Sequence, residues 1–144
     1  MPLTKRKITI EFARMWPREI FDIKEGGKLI LKQTKGPLAK PGVYVLYRDE
    51  IPYYIGKAIK RPLFERLHDH ANKSTDKYFN LWNYFSAFVA AKKHIDEVEG
   101  ILIAAMPTAN SSVPKIKQIE VPKKLANILR KARQSKFNLK TVRS

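Results

Sequence analysis

The 144-residue chain is long enough for one domain with one core, and its 44% hydrophobic content suits a folded protein. Charge is the outlier: 29 Lys and Arg against 13 Asp and Glu leave a net +16, a self-repulsion usually tolerated for a polyanionic partner. With no cysteine there is neither a disulfide nor a thiolate metal site, and no apolar run approaches the ~20 residues of a membrane span.

The first segment, residues 1–36, reads as an extension. Its basic start, MPLTKRKITIEF, lacks the apolar stretch of a signal peptide, so a cytoplasmic protein without a membrane partner is expected. Phe12, Met15, Trp16, Glu19 and Ile20 fit a helix over Glu11–Ile23, with Pro17 in its first turn or breaking it. Gly26-Gly27 marks a turn, and KLILKQ reads as a strand.

The central segment, 37–112, is the most patterned. Val43–Tyr47 alternates as a strand, Arg48-Asp49-Glu50 is a turn, and Pro52–Gly56 returns as a second strand. Pro62–Asn72 follows as a helix with Leu63, Leu67 and Ala71 on one side. Asn83–Ala90 is a third strand, rich in aromatic and β-branched residues, and Lys92–Ala105 a helix ending before Pro107. The class is therefore α+β: a small three-stranded antiparallel sheet flanked by helices.

The last segment, 113–144, carries Lys115, Lys117, Lys123, Lys124, Arg130, Lys131, Arg133, Lys136, Lys140 and Arg143 against one acid, Glu120. Leu125, Ile128 and Leu129 share one side of a short helix there. Two readings stand: a solvated helix that closes the core, or a surface contacting phosphates through Lys123, Lys124, Arg130 and Arg133.

Several polar side chains of the central segment are placed to converge. A three-residue hairpin loop sets Tyr44 opposite Tyr54 on one face, with Tyr47 and Tyr53 facing away. On the helix, Arg66 and His70 are i, i+4 and share a side, which His68 does not. Lys57 ends the second strand near the same edge. Of the carboxylates Asp96, Glu97 and Glu99, only Glu99 lies within the apolar arc of its helix, beside Ile95, Leu102 and Ile103. A buried carboxylate needs a cation, either Arg66 or a metal ion. A structural salt bridge is the alternative.

Gly42-Val43-Tyr44, then Tyr54-Ile55-Gly56 ten residues after that tyrosine, then Lys57-Ala58, resemble the paired signature of the GIY-YIG nuclease superfamily. Arg66-x-x-x-His70 is similar to the family's arginine with its following histidine or tyrosine. Glu99, followed by Pro107 and Asn110, is similar to its metal-binding glutamate and terminal asparagine. The resemblance covers roughly residues 40 to 112; valine replaces the middle isoleucine of the first tripeptide. Arg61 rivals Arg66, which keeps the histidine partner. The resemblance implies a metal-dependent endonuclease that hydrolyses DNA, with RNA the lesser candidate. Glu99 would hold one Mg²⁺ or Mn²⁺, and Tyr44, Tyr54, Arg66 and His70 would act on the phosphate and the attacking water. Lys57 and Asn110 would bind substrate. Two other classes stay open: a nucleic-acid-binding module without activity, and an RNA-associated basic protein.

Overall fold

The computed structural model describes residues 8–34, 36–110, 114 and 116–143. Lys115 and the side chains of Lys136, Lys140 and Arg143 lie outside the described residues. An antiparallel sheet with helices on both faces forms the body, as the α+β reading expects, but the sheet has four strands, in the spatial order Thr9–Pro17, Tyr84–Ala90, Gly42–Arg48, Ile51–Ala58.

The fourth strand comes from the segment read as a helix. β1 (Thr9–Pro17) pairs antiparallel with β6 (Tyr84–Ala90), with register shifts between Thr9 and Phe12 and between Ala13 and Trp16. Those irregularities break the two-residue period, so Phe12, Met15 and Trp16 fall at a spacing that imitates a helix. At the second, Met15 takes φ 51°, and its N–H donates to Ser86 Oγ at 3.0 Å. Pro17, with no N–H to give a ladder, closes the strand, and a 3-10 turn over Arg18–Phe21 follows.

The KLILKQ strand is also shorter than expected. β3 (Lys28–Leu29) pairs with β2 (Lys24–Glu25) across Gly26 and Gly27, whose φ of 59° and 77° suit a tight hairpin turn only glycine adopts freely. Ile30–Gln33 then forms a single helical turn, α1.

β4 (Gly42–Arg48) and β5 (Ile51–Ala58) form the central hairpin. The loop is Asp49-Glu50, because Arg48 pairs with Ile51. An irregularity between Leu46 and Tyr47 then carries the register so that Leu46 faces Tyr54 and Tyr44 faces Gly56. The expected direct Tyr44–Tyr54 pair is thus replaced by a diagonal one. The shift is two residues, so both tyrosines keep one face, their ring centroids 6.3 Å apart.

α2 (Leu63–Asn72) covers that face, where Leu63, Leu67 and Ala71 join Tyr44, Leu46, Phe85, Ala87 and Val89 in the larger core. α3 (Ile95–Ala105), entered by a 3-10 turn over Lys92–His94, covers the other face. There Val43, Val45, Ile55 and Ile95 are buried, and Tyr47 packs beside them as expected. α4 (Lys123–Arg143) is longer than the short helix expected, and its Leu125, Ile128 and Leu129 are each about half exposed. They do not close the core. Among the described residues no helix is long and apolar enough to cross a membrane.

Candidate active site

The two glycines of the paired signature have the same physical reason. A Cβ on Gly42 would run into the backbone carbonyl oxygen of Phe88 on the adjacent strand. A Cβ on Gly56 would run into the Tyr44 ring, which lies across the strand over it. Glycine is required at each because another group occupies that space.

Tyr44 is fully buried, and its hydroxyl lies 2.6 Å from His70 Nε2. The other ring nitrogen, Nδ1, is 2.9 Å from Asp76 Oδ1 and 2.8 Å from Oδ2. Asp76 is fixed in turn by the Tyr78 N–H, which donates to Oδ1 at 2.8 Å. Burial pushes the Tyr44 hydroxyl well above the ordinary tyrosine value, a shift that Tyr54 adds to and Arg66 opposes through its charge and a hydrogen bond. Burial also lowers the His70 pKa, against the pull of Asp76. Both groups are therefore neutral at pH 7. The structure puts Tyr44 and His70 in contact, with the Arg66 charge acting on both.

Tyr54 is half-buried on the same face, stacked on Tyr78 with ring centroids 4.2 Å apart. Its pKa is raised, first by burial and then by Tyr78, with Glu99 adding and Arg66 opposing. Tyr54 thus lies within electrostatic reach of both the arginine and the glutamate. Tyr53, expected to face away, also meets Tyr78, edge to face at 6.2 Å.

The glutamate sits at an open edge. Lys57 Nζ donates to Asp96 Oδ1 at 2.6 Å and lies 3.8 Å from Glu99 Oε1. The hydrogen bond to Asp96 is the main cause holding the Lys57 pKa up. The Glu99 side chain is 18% exposed, so a screened carboxylate faces this edge. Lys57 is a cation at its side that the sequence reading assigned elsewhere. Among the described residues no group of three His, Asp or Glu side chains could hold a metal ion. One partly exposed carboxylate still suits a hard cation that keeps most of its waters and takes its remaining oxygens from substrate.

Asn110 is spent on backbone. Its Oδ1 accepts the Ile55 N–H at 2.9 Å and its Nδ2 donates to the Ile55 carbonyl at 2.7 Å. Ala109 N–H donates to the Tyr53 carbonyl at 2.7 Å, so this segment covers the free edge of β5 as a further strand would. Arg61, the rival arginine, is paired at 2.9 Å with both Glu65 and Asp69 on the surface. His68 packs on Phe21 and Phe64, away from the site. Lys123, Lys124, Arg130 and Arg133 are exposed along α4 and stand outside the tyrosine–histidine cluster.

Sequence reasoning missed Asp76, Tyr78 and Arg18. The first two sit in the aperiodic loop 73–83, where the only signal was an unusual share of aromatics. Arg18 pins that loop: its guanidinium donates to the carbonyls of Ala71 at 2.6 Å and Trp82 at 3.3 Å and lies over the Phe79 and Trp82 rings.

No protein-family model matches the chain, and no curated protein does. Among solved structures, the chain is similar to the magnesium-bound GIY-YIG N-terminal endonuclease domain of UvrC from Thermotoga maritima. The identity is 29% at a TM-score of 0.40, over 58% of this chain and 92% of that domain.

Proposed function

We propose that this protein is a metal-dependent endonuclease that hydrolyses phosphodiester bonds in DNA. The observation that carries the reading is the buried Tyr44–His70 hydrogen bond beside Tyr54, whose hydroxyl feels the charges of both Arg66 and Glu99. A binding surface alone has no use for a largely buried carboxylate such as Glu99.

The roles follow from burial. Tyr44 and His70 are shut off from solvent, so neither meets the attacking water directly. Tyr54 is half open and, once it has lost its own proton to solvent, its phenolate is the group that takes the water's proton. The water oxygen bonds to phosphorus, the bond to the 3′ oxygen breaks, that oxygen takes up a proton from solvent, and a 5′-phosphate remains. A raised tyrosine pKa makes this proton transfer demanding, and Arg66 is the cation already on hand that favours the phenolate. Arg66 also clamps the phosphate with its planar fork. Glu99 would hold one Mg²⁺ or Mn²⁺, which when bound supplies positive charge against the phosphate and the leaving oxygen. Asn110 is a positioning residue for β5, and the cations of α4 lie along a surface that attracts the DNA backbone at low salt.

Cleavage of supercoiled plasmid in Mg²⁺ or Mn²⁺ tests the reading. Purified protein should cut and Glu99→Ala should not. Equal behaviour of the two would end the enzyme reading.

A further inference from the structure

We infer that Asp76 is a positioning residue of this site, anchoring a buried chain of hydrogen bonds, Asp76–His70–Tyr44, against which the Arg66 guanidinium is set. The inference rests on the nuclease reading for its effect on cleavage, but the chain itself stands on geometry.

The direction of each bond is fixed by chemistry. A carboxylate only accepts, so Asp76, with both oxygens within 2.9 Å of Nδ1, places the imidazole proton on Nδ1. Nε2 then presents a lone pair, and Tyr44 must donate its O–H across the 2.6 Å contact. That leaves the phenol oxygen's own lone pairs for Arg66, which only donates. The opposite tautomer fails on the same count. A proton on Nε2 would point at the Tyr44 oxygen, and the displaced O–H would face a guanidinium that cannot accept it.

The surroundings hold the chain in this state. His70 is 4% exposed, and the indole N–H of Trp82 donates to its carbonyl at 3.3 Å. Asp76 is locked by the Tyr78 N–H, and Arg18 ties down the loop that carries both. Around the buried His70 and Tyr44 an unmatched donor costs far more than at a surface, so orientation is enforced there, while Asp76, 16% exposed, is fixed by the Tyr78 N–H.

Asp76→Asn is the informative change. Its Oδ1 stays on the Tyr78 N–H while Nδ2 replaces the Oδ2 acceptor with a donor toward Nδ1, which shifts the imidazole proton toward Nε2 although Oδ1 still faces Nδ1. Ring-nitrogen NMR of the full chain should show His70 protonated on Nδ1 in the wild type, with a clearly larger share on Nε2 in the variant. Plasmid cleavage should fall about 100-fold in kcat with little change in KM, the scale of a misplaced clamp. Asp76→Glu should restore part of the loss. In a Tyr44→Phe background, where the chain is already cut, Asp76→Asn should cost less than about 3-fold. Urea midpoints identify any variant whose loss is unfolding. A wild-type proton on Nε2 overturns the inference outright, as does an equal loss from Asp76→Asn in both backgrounds. If the wild type does not cleave at all, the nuclease reading fails, and the tautomer measurement still decides the chain.

Discussion

Two clusters meet solvent differently. In the first, Tyr44 and His70 are buried and Asp76, its side chain 16% exposed, is the end that reaches water, while each donor has one acceptor. Lys57, Asp96 and Glu99 form an open group of charges with side chains 31%, 49% and 18% exposed. Around Tyr44 and His70, geometry is set by the cost of an unmatched polar group. At the open edge, water can replace any partner, and the 3.8 Å separation of Lys57 from Glu99 is loose. Under the nuclease proposal the contrast is a division of labour: a closely matched back that would aim Arg66, and a looser front that would exchange a lysine for an incoming cation or phosphate.

The strongest way to break this contrast is at the front. Glu99→Gln keeps the shape and removes the charge, and cleavage should fall about 1,000-fold or more, several kcal/mol of transition-state stabilisation. Thermal stability should change little, and added metal should no longer shift it. At the back, Tyr44→Phe should cost about 100-fold in kcat and also about 1–3 kcal/mol in a urea titration, because His70 Nε2 loses its donor in a dry site. A front variant that unfolds, or a back variant that folds as well as wild type, would erase the division.

Gly56→Ala probes the back by crowding alone, without adding or removing a polar group, although the methyl would press on the Tyr44 hydroxyl as well as its ring. The new methyl would meet the Tyr44 ring, so a loss of about 1–3 kcal/mol is expected from overpacking. If Tyr44 moves to make room, cleavage should fall with stability.

Acid supplies a gentler test. Burial lowers the His70 pKa below its ordinary 6.5, so the folded state binds its proton less readily than the unfolded chain does. The stability this contributes is complete above about 6.5 and is lost as pH falls through that value toward the folded pKa. Arg66 assists the lowering, while Asp76 and Asp69 oppose it; Tyr44 and Tyr54 also face the ring, as neutral groups. Urea titrations between pH 5 and 8 should show stability falling toward acid, less steeply in His70→Gln.

Much of the site was legible because its signals are local. The two glycine–aromatic tripeptides, the i, i+4 pair Arg66 and His70, and the lone carboxylate in an apolar arc each follow from one element's period. The strand pattern gave the central hairpin and β6, while the register shift in the hairpin kept Tyr44 and Tyr54 on one face. β1 was not legible, since its irregular pairing with β6 disguised a strand as a helix. Asp76 was hidden for another reason. Its role depends on a loop packed by Arg18, some sixty residues earlier in the chain, and no periodicity records such a contact.

The smallest effect should come from Lys57. Its bond to Asp96 is short, but both side chains are substantially exposed, so solvent screens the pair and holding two flexible chains costs entropy. Lys57→Met should therefore change stability by less than about 1 kcal/mol, and less still in high salt. Binding of a DNA duplex should weaken at low salt, and the slope of log affinity against log salt should shrink by about one. A loss of several kcal/mol would mean that the front is as firmly held as the back, with Lys57 fixing the carboxylates instead of forming a loose, screened contact.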